Sequence, residues 1–323
     1  MKVLLISLYH PELVRGGEQQ IAHELFQGLR ATPGVEATLL ASIDHTSPAL
    51  YKSGARITGF DGRPAEFLFL TQEYDYTWEK TPNVALAESF IEFLRLIQPD
   101  IVHFHHFMTF GIDYLTLTRR VLPSVKIIFT AHEFLTICAA NGHMVRRVDQ
   151  SLCTRASAVR CHQCLPEHPP EHYFMREMWM KTHLESVDVI TTPSRFMVEQ
   201  FTSWGLPADK FVHVTNGQGT HRTMPATAPG RRNRFGFFGQ LVDAKGLHIL
   251  LAAVALLRAD GFTDFVVEIN GDNIQFATPE RRQEIESFLA EEARLPAAER
   301  QVIFNGAYHH QQLVDKIIHL SPI

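Results

Sequence analysis

Two glycine-bearing turns stand far apart in this chain, each between an apolar run and an amphipathic helix pattern. The first is Arg15-Gly16-Gly17-Glu18, after the run from Lys2 to Tyr9. The second is Phe238-Gly239-Gln240, after Phe235-Gly236-Phe237, with Lys245-Gly246 a few residues on. Glycine lets a ligand approach the backbone, and a helix N-terminus offers unpaired N–H groups with partial positive charge. One such device suits a phosphate; two suggest a pair of halves facing across a cleft. Lys245 adds a cation at a helix start, where lysine gains nothing from the helix dipole unless an anion is present. A solvated lysine is the plainer reading.

Histidines form a second set. His132 follows the apolar run Lys126–Thr130, at the strand end where doubly wound sheets place ligands. With 18 histidines in the chain, its position counts for more than its identity. His103 and His105 share a face of an extended segment and His106 follows them, so a metal pair there competes with hydrogen bonding at the sheet edge. Cys138, Cys153, Cys161 and Cys164 crowd into one polar stretch and include a single C-x-x-C pair. Four thiolates converging on one point would hold a structural zinc; buried reduced thiols or a redox pair are the competing readings.

These residues need elements to position them. Strand-like runs alternate with helix-period segments, which predicts a parallel sheet with helices on both faces. Strands are expected at Val3–Leu8, Ala37–Ala41, Ile101–Phe104, Lys126–Thr130, Val187–Thr191 and Phe211–Val214, and helices at Glu18–Arg30, Val84–Ile97, Gly111–Val121, Phe174–Glu185 and Ser194–Trp204. Residues 1–217 form one expected domain. The stretch 218–233, rich in Thr, Pro, Gly and Arg, reads as a linker. A second series fills 234–323: strands Arg234–Phe238, Phe265–Asn270 and Gln301–Phe304, with helices Leu247–Arg258, Pro279–Ala293 and one from Gln311. Three strands are few for a doubly wound sheet, so the second domain is expected to be incomplete.

Read together, the motifs resemble the retaining GT-B glycosyltransferases of family 4. They are Arg15 to Glu18, Thr130-Ala131-His132-Glu133, Thr192-Pro193-Ser194-Arg195, Val214-Thr215-Asn216-Gly217, Phe238 to Gly246 and Phe304-Asn305-Gly306-Ala307-Tyr308, and they span nearly the whole chain. The resemblance implies an α/β protein of two Rossmann-like doubly wound domains, with a nucleoside-diphosphate-sugar donor and a glycan or lipid-linked acceptor between them. It implies that Gly16, Gly17, Gly239, Gln240 and Lys245 bind the donor, and that Lys245 offsets charge developing on the leaving diphosphate. His132 would sit beside the reacting sugar and is not assigned as a nucleophile. Gln240 stands where the family carries a basic residue. The family's paired glutamates would fall beyond Tyr308, which leaves a second reading, a C-terminally truncated remnant that only binds a ligand or partner. A sugar-nucleotide epimerase is a third.

The resemblance implies no catalytic cofactor. A nicotinamide dehydrogenase is disfavoured, because Gln19 and Gln20 stand where the dinucleotide fingerprint needs its third glycine. A net charge of −5 argues against a dedicated nucleic-acid binder. No run approaches a membrane span, so a cytoplasmic protein is expected, with at most peripheral contact at the inner membrane face. The stripe Tyr173-Phe174-Met175-Arg176-Glu177-Met178-Trp179-Met180-Lys181 would supply such contact, although packing against the sheet is the commoner reason for one.

Overall fold

Alternate residues of the first apolar run are buried on opposite faces. In the computed structural model it forms β1 (Lys2–Ser7), whose Leu4 and Ile6 join a core with Phe90, Phe104 and Ile127. Val3 and Leu5 pack instead with Phe26, Ala37 and Leu39. A strand covered on both faces belongs inside a parallel sheet flanked by helices. Residues 1–14, 16–43, 55–71, 73–217, 233–308 and 312–320 are described here. They fall in two compact units, Met1–Gly219 and Thr220–Ile323. The expected linker lies outside the described residues except for Asn233, as do Arg15 and the Gln311 start of the last expected helix.

The first unit runs β1, α1 (Gly17–Arg30), β2 (Glu36–Ile43), β3 (Ile57–Gly59), β4 (Glu66–Leu70), α2 (Val84–Ile97), β5 (Ile101–Phe104), α3 (Asp113–Val121) and β6 (Lys126–Thr130). It continues with α4 (Ala158–Cys164), α5 (Pro170–Leu184), β7 (Val189–Thr192), α6 (Arg195–Ser203) and β8 (Phe211–His213). Its sheet order is β3-β4-β2-β1-β5-β6-β7-β8, parallel throughout except where β3 meets β4. The order reverses between β1 and β5, and ligands of such sheets bind beyond the carboxyl ends of the strands at that switch.

Local chemistry sets the helix ends. Asn83 accepts a hydrogen bond from the Leu86 N–H to start α2, which turns Leu86, Phe90, Phe93 and Leu94 inward. Ser194 caps α6 through the Met197 N–H, and Thr192 Oγ1 donates to Ser194 O at 3.0 Å. The Thr192-to-Arg195 motif therefore turns a strand into a helix. Along α5, Tyr173, Arg176 and Met180 are buried, and Trp179 Nε1 donates to Trp78 O at 2.8 Å. Phe174, Met175 and Met178 stay exposed. Among the described residues no helix is long and apolar enough to cross a membrane.

The second unit carries β9 (Arg234–Phe238), α7 (Leu247–Ala259), β10 (Val266–Asn270), α8 (Pro279–Arg294), β11 (Val302–Gly306) and α9 (Leu313–Leu320). Its three strands are parallel in the order β11-β10-β9. Leu247, Leu251 and Val254 of α7 pack on Val267, Ile269 and Val302 of this sheet.

One carboxylate joins two strands of the first unit. Asp188 Oδ2 accepts the Ile127 N–H at 2.7 Å and an Arg119 guanidinium hydrogen at 2.5 Å, while Asp188 N–H donates to Ile127 O. Burial opposes its charge, but the Ile127 N–H and Arg119 outweigh burial and hold the carboxyl below its usual range. A depressed carboxylate stabilises above its unfolded pKa and loses that contribution as pH falls through the folded one. Asp188→Ala should cost about 1–3 kcal/mol in urea denaturation at neutral pH, because Ile127 N–H and Arg119 lose their acceptor. The gap between the two proteins should narrow below about pH 4.

Candidate functional site

The loops after β1, β5 and β6 meet at the carboxyl edge of the first sheet. Gly16 is extended, with φ −167°, and opens into α1. Gly17 is exposed, and a Cβ built on it would find no atom within 4 Å. Nothing in the protein's own packing requires glycine at 17. Glu18 turns back under β1: Ser7 Oγ lies 2.9 Å from Tyr9 O and 3.3 Å from Glu18 Oε1. Burial pushes this carboxyl up to about 8 against the hydrogen bonds from Leu8 and Ser7, and among the described residues Glu18 Oε2 has no partner.

The histidines after β5 and β6 complete the cluster. His105 Nδ1 and His132 Nε2 are 3.3 Å apart, and their rings lie nearly parallel with centroids 5.6 Å apart. Ligand atoms of Glu18, His105 and His132 all come within 4.8 Å of one another. His103 Nε2 is engaged by Thr130 Oγ1 at 2.7 Å, a sheet-edge hydrogen bond of the kind that competes with a metal pair at His103 and His105. His106 accepts the Met108 N–H and faces Glu133, with 3.6 Å between His106 Nε2 and Glu133 Oε1. Burial lowers His132 to about 4, His103 to about 4 and His106 to about 3, and takes His105 well below the usual range. Burial likewise raises Glu133 to about 8.

At neutral pH the cluster is therefore uncharged: neutral imidazoles and protonated carboxyls. His105 and His106 are buried, whereas His132 is only partly so. A polyanion approaching this edge meets hydrogen-bonding groups and no carboxylate repulsion. His10, His23 and Glu66 form a second close group of metal-ligating types. There His10 accepts the Glu12 N–H at Nδ1 and directs Nε2 to Glu66 at 2.6 Å, so its one lone pair is already used.

A carboxyl raised above its unfolded pKa stabilises the fold below the unfolded value and loses that contribution as pH rises through the folded one. The Glu18 contribution to stability should accordingly fall between about pH 4.5 and about pH 8, while His103, His105, His106 and His132, which burial lowers, contribute with the opposite sign below about pH 6.5. Glu18→Gln should flatten this decline, and urea denaturation of both proteins at about pH 6 and about pH 9 checks it. Glu133 contributes with the same sign and will leave a residue of the slope.

The second unit places its candidates at the end of β9. Gly239 N–H donates to Asn270 O at 3.1 Å, and Gln240 is exposed. Lys245 is exposed at the end of a 3-10 turn, Asp243–Lys245, one residue before Gly246, which has φ 73° and caps α7. Among the described residues no hydrogen bond or ion pair engages Lys245 Nζ. Asp243 anchors the turn by accepting from Thr278 N–H, Thr278 Oγ1 and Arg281 Nε. Sequence reasoning passed over Gly271, where a Cβ would lie 2.0 Å from Gly239 O. No side chain fits there, so the crossing of the two strand exits depends on that glycine.

The four cysteines are all free; Cys138 is buried and the others half-buried. Part of the polar stretch around them is helical: α4, which Ser157 caps, carries Cys161 and Cys164. All four line one cavity.

The profile of Glycosyltransferase Family 4 matches residues 15–222, more than half of the chain. No curated protein matches in sequence. Among solved structures, Anabaena HepE in complex with UDP is 15% identical at TM-score 0.55, covering 97% of this chain and 71% of that one. The N-terminal domain of Candida albicans trehalose-6-phosphate phosphatase is 12% identical at TM-score 0.58, covering 97% and 74%. An E. coli trehalose-6-phosphate protein bound with UDP-2-fluoro glucose is 11% identical at TM-score 0.59, covering 99% and 77%. At these identities the likeness establishes a shared fold, an α/β architecture of the GT-B kind.

Proposed function

The chain belongs to Glycosyltransferase Family 4, and from that premise we propose that it moves a hexose-type sugar from a nucleoside diphosphate to a hydroxyl acceptor with retention at the anomeric carbon. The observation that carries this reading is the close cluster of Glu18, His105 and His132 at the switch point of the first sheet, beside the open glycine at 17. Donor phosphates approach the first turn because Gly17 presents backbone and no side chain. His132, neutral and partly exposed, gives or accepts a hydrogen bond with a sugar hydroxyl. Within the second unit, Lys245 before α7 is the group suited to offset negative charge that grows on a diphosphate as its bond to a sugar breaks.

No nucleophile is assigned to the chain. His132 is a weak base with its pKa near 4, and retention is assigned to attack and departure on one face of the sugar. The acceptor is a growing surface polysaccharide or lipid-linked glycan, and the setting is the cytoplasm or the inner face of its membrane. Gln240 favours a second reading, a chain that holds a donor without turning it over, because it brings no charge to the position where the family has a basic residue. Incubation with UDP- and GDP-hexoses and a mixed glycan acceptor separates the two. Nucleoside diphosphate released above the acceptor-free blank supports transfer, and binding without release supports the second reading.

A further inference from the structure

Cys138, Cys153, Cys161 and Cys164 come from three different local structures and still reach one cavity. Cys138 lies on the turn that follows His132 and Glu133, with its N–H bonded to Phe134 O at 2.8 Å. Cys153 closes a small hairpin, in which Val145 pairs with Leu152 and Cys153 N–H donates to Met144 O at 2.7 Å. Cys161 and Cys164 occupy successive turns of α4. The cavity between them has a volume of about 20 Å³, room for a single small particle rather than a cluster of several atoms.

Burial disfavours negative charge on Cys138 and Cys161, and several donors around the sulfurs oppose that effect. Arg147 N–H donates to Cys164 Sγ at 3.2 Å, and the backbone N–H groups of Ala140 and Met144 point at Cys138 Sγ. Arg146 and Arg160 line the cavity; Arg146 Nη1 pairs with Asp149 at 3.2 Å, while its buried Nε has no partner among the described residues. Four thiolates around one divalent cation carry two excess negative charges, which these donors and guanidinium groups would offset. We propose that the four cysteines bind one zinc ion as a structural site. Thiolate sulfur prefers zinc among the divalent ions that adopt tetrahedral geometry, and a four-sulfur site leaves no open position for catalysis.

The sulfurs surround the cavity in an open set: no three of them lie within 4.8 Å of one another. A zinc tetrahedron with bonds of ~2.3 Å needs edges of roughly 3.8 Å. Changing a χ1 rotamer moves a sulfur by about 3 Å, and closing the set would draw on such rotations. Each thiol releases its proton on binding, and no oxidant or reductant takes part.

Such an ion would tie the hairpin and α4 to the turn beyond His132. Arg176 holds the same turn from the other side: its guanidinium, only 3% exposed, donates to Leu135 O, Thr136 O and Thr77 O. The site would thus steady the loop that carries His132 and Glu133 without touching substrate.

Metal analysis of the full chain, purified without chelator, tests this independently of any transferase activity. About one zinc per chain is expected, falling to under a tenth of that in Cys161→Ser/Cys164→Ser. Because that variant could fail to fold, the wild-type chain is also stripped and loaded with cobalt(II). Sulfur-to-cobalt charge-transfer bands of tetrahedral thiolate strength are expected, and zinc should protect all four thiols from alkylation. A folded chain that takes up neither ion, a disulfide among these cysteines, or an iron–sulfur chromophore would each overturn the proposal.

Discussion

Lys245→Ala should lower nucleoside diphosphate release about 100-fold in kcat while leaving the folding stability within about 0.5 kcal/mol of the parent. The split follows from where the lysine stands. It is exposed, ends the Asp243–Lys245 turn, and engages no partner among the described residues, so the fold has little to lose. The turn is held by Asp243, through Thr278 and Arg281, and survives the change. A cation that meets negative charge only as a bond breaks acts mainly on the transition state, which places the loss in kcat more than in KM. Lys245→Arg should recover part of the rate, since it restores charge at a different reach. An equal loss of rate and stability would reassign Lys245 to the fold.

Gly17→Val should weaken donor binding by more than tenfold. Its expected effect on unfolding is small, because the added Cβ meets no atom within 4 Å and Gly17 is only the first residue of α1. The new methyl groups would occupy the space through which a phosphate reaches the backbone. Gly16→Ala is a weaker probe: its Cβ would collide with the Gln19 side chain, whose flexible end can swing aside. Donor titration and thermal unfolding on the same samples separate a blocked site from a damaged one. Unchanged donor affinity in Gly17→Val would remove the first turn from the site.

Strongly periodic segments could be read from the sequence, and irregular ones could not. β1 buries apolar residues on both faces, and β5 and β6 bury theirs on one, so their runs follow from composition and length. The edge strand β3 and its neighbour β4 escaped notice because Ile57–Gly59 and Glu66–Leu70 are short and flank a turn of Gly, Arg and Pro. Helix α4 was hidden by its composition, since seven residues including two cysteines and a histidine carry no amphipathic period. Among site residues, glycines, His132 and Lys245 stand next to strand ends and were legible from that placement.

Glu18 and Glu133 were visible only as parts of motifs. Their significance lies in burial and in the partners that tertiary structure brings, His105 for one and His106 for the other. No spacing rule announces a protonated carboxyl. Gly271 is a similar case: its need for hydrogen in place of a side chain comes from Gly239 O on the neighbouring strand exit, more than 30 residues earlier in the chain. The four cysteines were conspicuous as a group, whereas the hairpin and helix that bring them to one cavity were not.

Isothermal titration of the full chain with UDP-glucose, and in parallel with a GDP-hexose, bears most directly on whether a sugar nucleotide is recognised at all. Saturable heat from one donor, competed away by the matching nucleoside diphosphate, is the expected result. Absence of binding by every nucleotide tried, from protein whose unfolding transition is intact, would contradict it.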